Sequence, residues 1–438
     1  MKTIVEDISS VKKKLIIEVE ADDVSKKVDK TYKQYGKKAK IKGFRSGKIP
    51  RKILENYYGP QVLDEVAGSI VNETLPKAIE EVGMFPLNMP TIENDVLKLG
   101  ENYKYTAVME IRPEFELKDY NGLDVEKEAF SITEEDIDKH INEIREASGN
   151  LVVIEEDRGV ETDDYAIIDY EGFDGENSIE GIKSEDFTLK VGEGRFYPGF
   201  EDGLIGLKKG EETEITVEFE DDYFHSGLAG KKVIFKVSIK DIKKMELPEL
   251  DDEFVKSLGG EIKDLDDLKG NIREGLTDRE GKRVDKDLKE RLLEKISSSV
   301  EFELPESLVE PELNSALSSI RQNLMNSGTD FEKAGLDIAK LKDELRPVSE
   351  KKVKGMLILG KVAQESELSV DDKDITEGFD DMAKGVGQSP NVLRQYYEAN
   401  QMMDSFRETL LREKTLNYLV ENANVKEVSA DQIHADNE

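Results

Sequence analysis

Cysteine is absent from this 438-residue chain, which excludes disulfides and thiolate chemistry. Histidine is nearly absent: the chain has three, His140, His225 and His434. They lie far apart without metal-ligand spacing, so each reads as an ordinary exposed or partly buried side chain. Long apolar runs are also missing, and no segment is expected to span a bilayer. The first residues, MKTIVEDISS, carry acids where a signal peptide needs an apolar stretch, so the chain is expected to stay in the cytoplasm. Positive charge is scarce. Lys and Arg number 63 against 97 Asp and Glu, a formal net charge of −34. Most of such a surface is expected to be repelled by nucleic acid and by anionic membranes.

What is present is 37% hydrophobic and 37% charged, enough apolar material for folded cores under a very polar surface. At about 100–200 residues per domain, the length calls for more than one core. The cations are concentrated in one place. Between Lys26 and Lys52 stand Lys27, Lys30, Lys33, Lys37, Lys38, Lys40, Lys42, Arg45, Lys48 and Arg51, with Asp29 the sole acid. Such a patch can direct how an acidic protein lands on a polyanion, although a solvated basic helix without a partner fits the charge alone.

The pattern along the chain is that of a multidomain α+β protein. Residues 1–112 read as an α/β unit. LIIEVE is strand-like, Asp22 or Asp23 can cap the helix after it, and IKGFRSGKIP is a loop. A helix restarts near Pro50 and, after Gly59–Pro60, runs toward Ile70. ENYKYTAVMEIRP alternates as a strand does, with Tyr103, Tyr105, Ala107 and Met109 on one face. Residues 113–150 form a helical connector in which Ile137, Ile141 and Ile144 share a stripe and Thr133 with Asp136 makes a capping box. Residues 151–245 are a compact β-rich domain of strand-like runs broken by glycine turns. Residues 246–430 are helical, with Leu313, Leu317, Ile320 and Leu324 at heptad-like spacing. Ser389 caps a helix begun by Pro390 that carries Leu393, Tyr396, Tyr397, Met403, Phe406, Leu410 and Leu411. The last residues, 431–438, are expected to be disordered.

Two motifs carry chemistry. In GFRSGKIP, Gly43 and Gly47 permit a tight turn that projects Phe44, Arg45 and, close by, Lys48. An exposed aromatic beside an arginine is a common composition for a docking hot spot, and the spacing is not that of a phosphate-binding loop. The octapeptide resembles the ribosome-binding signature of bacterial trigger factors, GFRxGKxP, matching at Gly43, Phe44, Arg45, Gly47, Lys48 and Pro50. Ser46 stands at the variable position, where a Lys is frequent. The resemblance implies that this loop contacts a large-subunit ribosomal protein and nearby rRNA at the tunnel exit.

The second motif is aromatic. IDYEG (168–172), DFTLKVGEGRFYPGFEDGLIGLKKGE (186–211) and KVIFKVSI (232–239) resemble FKBP-type prolyl isomerases. Carried over residue by residue, the resemblance implies a proline pocket of Tyr170, Phe187, Phe196, Tyr197, Phe200, Tyr223 and Phe235, with Phe200 where single-domain relatives place a Trp. Ile179 and Glu180 fall near two further pocket positions. Isomerisation needs no nucleophile: a dry apolar pocket favours the twisted, less polar amide over the planar one.

MELPELDDEFVKSLGG and FELPESLVEPELN resemble parts of the trigger-factor C-terminal domain, so an elongated all-α chaperone domain with an open cavity is implied. Met325, Met356, Met402 and Met403 supply adaptable apolar surface there. The resemblance covers nearly the whole chain in family order. It implies an ATP-independent, ribosome-associated chaperone with prolyl isomerase activity, no cofactor, and nascent or unfolded polypeptides as partners. It further implies a weak homodimer when free, and no membrane or DNA partner. A free-standing isomerase with flanking dimerisation domains is the competing reading, and ribosome co-sedimentation separates the two.

Overall fold

A computed structural model describes the chain except residues 43, 46, 176, 195, 198, 221–227, 229, 260–261, 328, 332–335 and 436–438. Packing divides it into two compact units. One joins Met1–Val125 to Lys289–Ser327 and Ile338–Asn424; the other is built on Glu126–Leu288 and includes Val425 and the residues just after it. Neither unit is one continuous stretch of sequence.

In the first unit, β1 (Lys2–Asp7), β2 (Lys12–Val19), β3 (Thr91–Asn94) and β4 (Tyr103–Glu110) form a four-stranded sheet in the order β1-β2-β4-β3. Its pairings are antiparallel, with Ile17 opposite Tyr105 and Val19 opposite Tyr103. Alternation puts Leu15, Ile17, Tyr103, Tyr105 and Met109 on the buried face. There they meet α1 (Ala21–Lys38) through Val24, Val28 and Tyr32, and α2 (Arg51–Val82) through Leu54, Val62, Val66 and Ile70. Two expectations need correction. Neither Asp22 nor Asp23 caps α1: both lie in its first turn, and the Ala21 amide donates instead to Asn102 Oδ1 at 3.0 Å. The second helix does not stop near Ile70 but continues through Pro76 to a left-handed Gly83.

After β5 (Asp124–Glu128), α3 (Glu134–Ala147) opens with both halves of its capping box formed. The Thr133 amide donates to Asp136 Oδ2 at 2.9 Å and the Asp136 amide to Thr133 Oγ1 at 3.2 Å. In the second unit β6 (Asn150–Val153), β7 (Tyr165–Asp174), β8 (Asn177–Lys190), β9 (Glu212–Glu218) and β10 (Lys232–Glu246) make a five-stranded sheet. The order is β6-β10-β7-β8, with β9 also on β10. Its interior is a single cluster around Ile168, Phe200, Val233, Phe235 and Ile239. Ile137 and Ile141 of α3 pack separately against Val255 of α4 (Asp252–Ser257) and Leu268 and Ile272 of α5 (Leu265–Ser299), with Ile144 beside them.

The remaining helices are α6 (Glu306–Asn326), α7 (Ile338–Glu365), α8 (Asp372–Val386), α9 (Pro390–Ala399) and α10 (Met403–Glu421). Leu313 and Leu317 of α6 are buried, as are Val353, Ile358, Leu359 and Val362 of α7. The single helix expected after Ser389 is two, α9 and α10, broken where Gln401 takes a φ of 56°. Ser389 precedes Pro390 as expected, but its hydroxyl makes no capping bond. Phe379, Leu393 and Phe406 close the core of this helical group. Within the first unit the sheet is fixed to the segment entering α6. Ser10 donates from its amide and its hydroxyl to Glu303, the Ser307 amide donates to Glu110, and Phe115 stacks on Phe302 at 4.1 Å. Near the end, β11 (Asn424–Val428) pairs with β5, and α11 (Ala430–Ala435) buries Ile433; of the tail expected to be disordered, residues 436–438 lie outside the described residues.

Candidate functional site

The strands of the second unit and the loop after β8 bring the predicted rings together. Phe200 and Phe235 are completely buried and cross edge to face, with centroids 5.2 Å apart. They form an apolar floor. Gly172 makes room for it, because a Cβ there would come within 3.3 Å of the Phe235 ring and 2.6 Å of Ile182. Tyr170, Phe187, Phe196 and Tyr197 are half-buried around this floor. Phe196 lies 5.3 Å from Tyr170, 5.2 Å from Phe187 and 4.4 Å from Tyr197, and Tyr197 stacks on Phe235 at 4.8 Å. Burial pushes the Tyr170 hydroxyl above its ordinary pKa, so it is a neutral donor at physiological pH. Phe219 joins the cluster, 5.7 Å from Tyr197. It was not picked out from the sequence, although it ends the alternating run TEITVEF that marks β9. Ile179 packs against the same core. Tyr223 and the Glu180 side chain lie outside the described residues.

The sheet also carries an open groove of about 530 Å³ lined by Asp169, Glu171, Lys183, Glu214 and Lys236 among others. Lys183 pairs with Glu171 at 3.6 Å and Lys236 with Glu214 at 3.8 Å, and Asp169, Glu185 and Glu212 leave the lining strongly acidic. Such a lining does not strip water from an amide, whereas the ring cluster can.

In the first unit the basic loop is anchored at both ends. Ile41 and Ile49 are buried, and the Gly47 amide, at φ 83°, donates to the Gly36 carbonyl at 2.8 Å. Between these anchors Phe44 is 41% exposed, and Arg45 and Lys48 are exposed beside it. Gly43 and Ser46 lie outside the described residues. Lys26, Lys27 and Arg51 are paired with Asp23, Glu73, and Asp29 and Glu55. Lys30, Lys33, Lys37, Lys38, Lys40, Lys42, Arg45, Lys48 and Lys52 are exposed and enter no ion pair among the described residues.

Sequence comparison is consistent over the whole length. The model for bacterial trigger factor protein (TF) matches residues 1–144, that for its C-terminus matches 264–421, and that for FKBP-type peptidyl-prolyl cis-trans isomerase matches 156–240. The trigger factor of Geobacter metallireducens is 38% identical over 434 residues, 99% of this chain and 100% of that one. The chain belongs to the bacterial trigger factor family. A second relative, the trigger factor of Halalkalibacterium halodurans, is 34% identical over 93% of this chain and 96% of its own. A solved structure of the trigger factor chaperone, reported for promiscuous substrate recognition in folding and assembly, shares the fold. Its TM-score is 0.51 at 22% identity, covering 96% of this chain and 99% of that one. As a trigger factor, the chain is a ribosome-associated chaperone carrying an FKBP-type prolyl isomerase domain. Among the described residues no helix is long and apolar enough to cross a membrane.

Proposed function

We propose that the loop holding Phe44 and Arg45 docks this trigger factor on the large ribosomal subunit, and that the ring cluster on β7, β8, β10 and the loop after β8 is its proline pocket. The observation that carries the first part is an aromatic and a cation exposed at the tip of a turn whose flanking isoleucines are buried. Phe44 fills an apolar pocket on a ribosomal protein, Arg45 pairs with a carboxylate or phosphate, and the unpaired lysines of α1 face rRNA. Gly43, Ser46, Gly47 and Lys48 complete the docking loop. In the second part, Tyr170, Phe187, Phe196, Tyr197, Phe200, Tyr223 and Phe235 hold the proline ring. They exclude water, so the amide twists in surroundings that favour its less polar state against a barrier of about 18–20 kcal/mol.

The corresponding sequence domains are 1–112 for docking, 113–150 as connector, 151–245 for isomerisation and 246–430 for holding nascent chains. The work is cytoplasmic, and the free protein self-associates weakly. The very exposed Phe85, Met89 and Val96 of the first unit are apolar surface available for that contact. Ribosome pelleting tests the docking. The double variant Phe44→Ala, Arg45→Ala should lose co-sedimentation while its unfolding transition stays unchanged. Wild-type pelleting by that variant would reject the assignment.

A further inference from the structure

Glu201 is a buried acid, only 6% exposed, with no place in the ring cluster itself. Acids are almost never buried unless their oxygens are satisfied. Here the partners are backbone amides of the loop after β8. Gly192 donates to Glu201 Oε2 at 2.7 Å, Gly194 to the same oxygen at 2.9 Å, and Phe196 to Oε1 at 3.3 Å. Gly192 and Gly194 adopt φ of 102° and 64°, left-handed values that turn successive N–H groups toward one anion. The loop is therefore wrapped around a carboxylate. Its last donor is the backbone of Phe196, whose ring contacts Tyr170, Phe187, Tyr197 and Phe200. Glu201 directly follows Phe200, so one dipeptide supplies a floor ring and the post that holds a wall ring.

We infer that Glu201 is a positioning residue of the isomerase reaction: its carboxylate fixes the backbone at Gly192, Gly194 and Phe196 and thereby the place of the Phe196 ring in the pocket. This rests on the ring cluster being the proline pocket. Removing the carboxylate takes away the shared acceptor of the Gly192, Gly194 and Phe196 amides, and the loop relaxes away from the position that seats Phe196.

The test uses the full chain and a short X-Pro peptide. Glu201→Gln keeps the side-chain volume but turns an amide N–H₂ toward backbone donors. It should lower kcat/KM about tenfold at a temperature where the variant is fully folded. Hydrogen exchange at Gly192 and Gly194 should quicken while Ile168 and Val237 keep their protection. Ile242→Ala, a core truncation away from the rings, should lower Tm yet leave kcat/KM within about twofold, since destabilisation alone does not misplace the pocket. Phe196→Ala should lower kcat/KM at least as far as Glu201→Gln does. Wild-type kcat/KM in Glu201→Gln beside a crippled Phe196→Ala overturns the positioning role. So does a loss in Glu201→Gln that only follows the unfolded fraction. Full activity in Phe196→Ala instead overturns the pocket assignment, and the role of Glu201 falls with it.

Discussion

Phe235 and Phe196 touch the same cluster and should fail differently when truncated. Phe235 is fully buried, so Phe235→Ala should lower domain stability by about 3–5 kcal/mol, seen as an earlier denaturant midpoint. Phe196 is only half-buried, so the larger part of its loss should fall on turnover of an X-Pro peptide. A second residue-scale prediction concerns Asp164. Burial pushes its carboxyl up. The Arg158 guanidinium at 2.5 and 2.8 Å and the Glu161 amide at 2.8 Å outweigh that and hold it below the usual carboxylate range. A depressed folded-state pKa contributes stability that is present above the unfolded value near 4 and is lost as pH falls through the folded one. Asp164→Asn should therefore cost about 2–3 kcal/mol at pH 7, and its melting curve should converge on the parent's in acid well below pH 4. A gap that persists unchanged at low pH would show that the pair does not titrate this way. Glu201 illustrates what sequence hides at this scale. It sits inside the matched stretch VGEGRFYPGFEDGL, yet an acid among glycines reads as solvated until the loop is seen to close around it.

At the scale of elements, periodicity was informative wherever one face is buried. Tyr103, Tyr105, Ala107 and Met109 do lie on the buried face of β4, and Ile137 and Ile141 do form the buried stripe of α3. The capping box before α3 is local chemistry between residues three apart, so it was legible. Thr133→Ala should cost about 1 kcal/mol and raise amide exchange in the first turn of α3. Equal exchange in both proteins would mean that the turn is held by packing instead. What periodicity missed were short edge strands and long-range caps. The burial pattern of β6 has no buried face, so it lacks alternation to detect. The partner of the α1 amide, Asn102, comes from the far end of the same domain. The break between α9 and α10 depends on one left-handed glutamine, a backbone state that composition does not encode.

For the whole molecule the governing quantity is charge. A chain of net charge −34 approaches a polyanion against general repulsion, so the docking proposed above rests on the few cations that are not already neutralised. Ribosome affinity should fall steeply as salt rises. Replacing Lys37 and Lys38 by Ala should reduce the slope of log K against log salt by about one for each phosphate that a lysine no longer neutralises. An unchanged slope would place those lysines away from rRNA. The solved trigger factor whose fold this chain shares is 22% identical to it, so the architecture tolerates wide changes in sequence.

The sequence by itself determined which segments are strands and helices with a buried face, the glycine turns between them, the basic concentration near residue 45, and membership of a family through motifs in order. Those properties depend on neighbours within a few residues, or on composition. Only the tertiary structure decided that the first compact unit joins the first 125 residues to segments beyond residue 288, that Phe219 completes the ring cluster, and that Glu201 is buried under a loop. The first two arise from packing between segments remote in sequence, and the third from a loop that folds back on an acid 5 to 9 residues on. Such pairings are selected by the summed packing and hydrogen bonding of the closed fold, which no local pattern records.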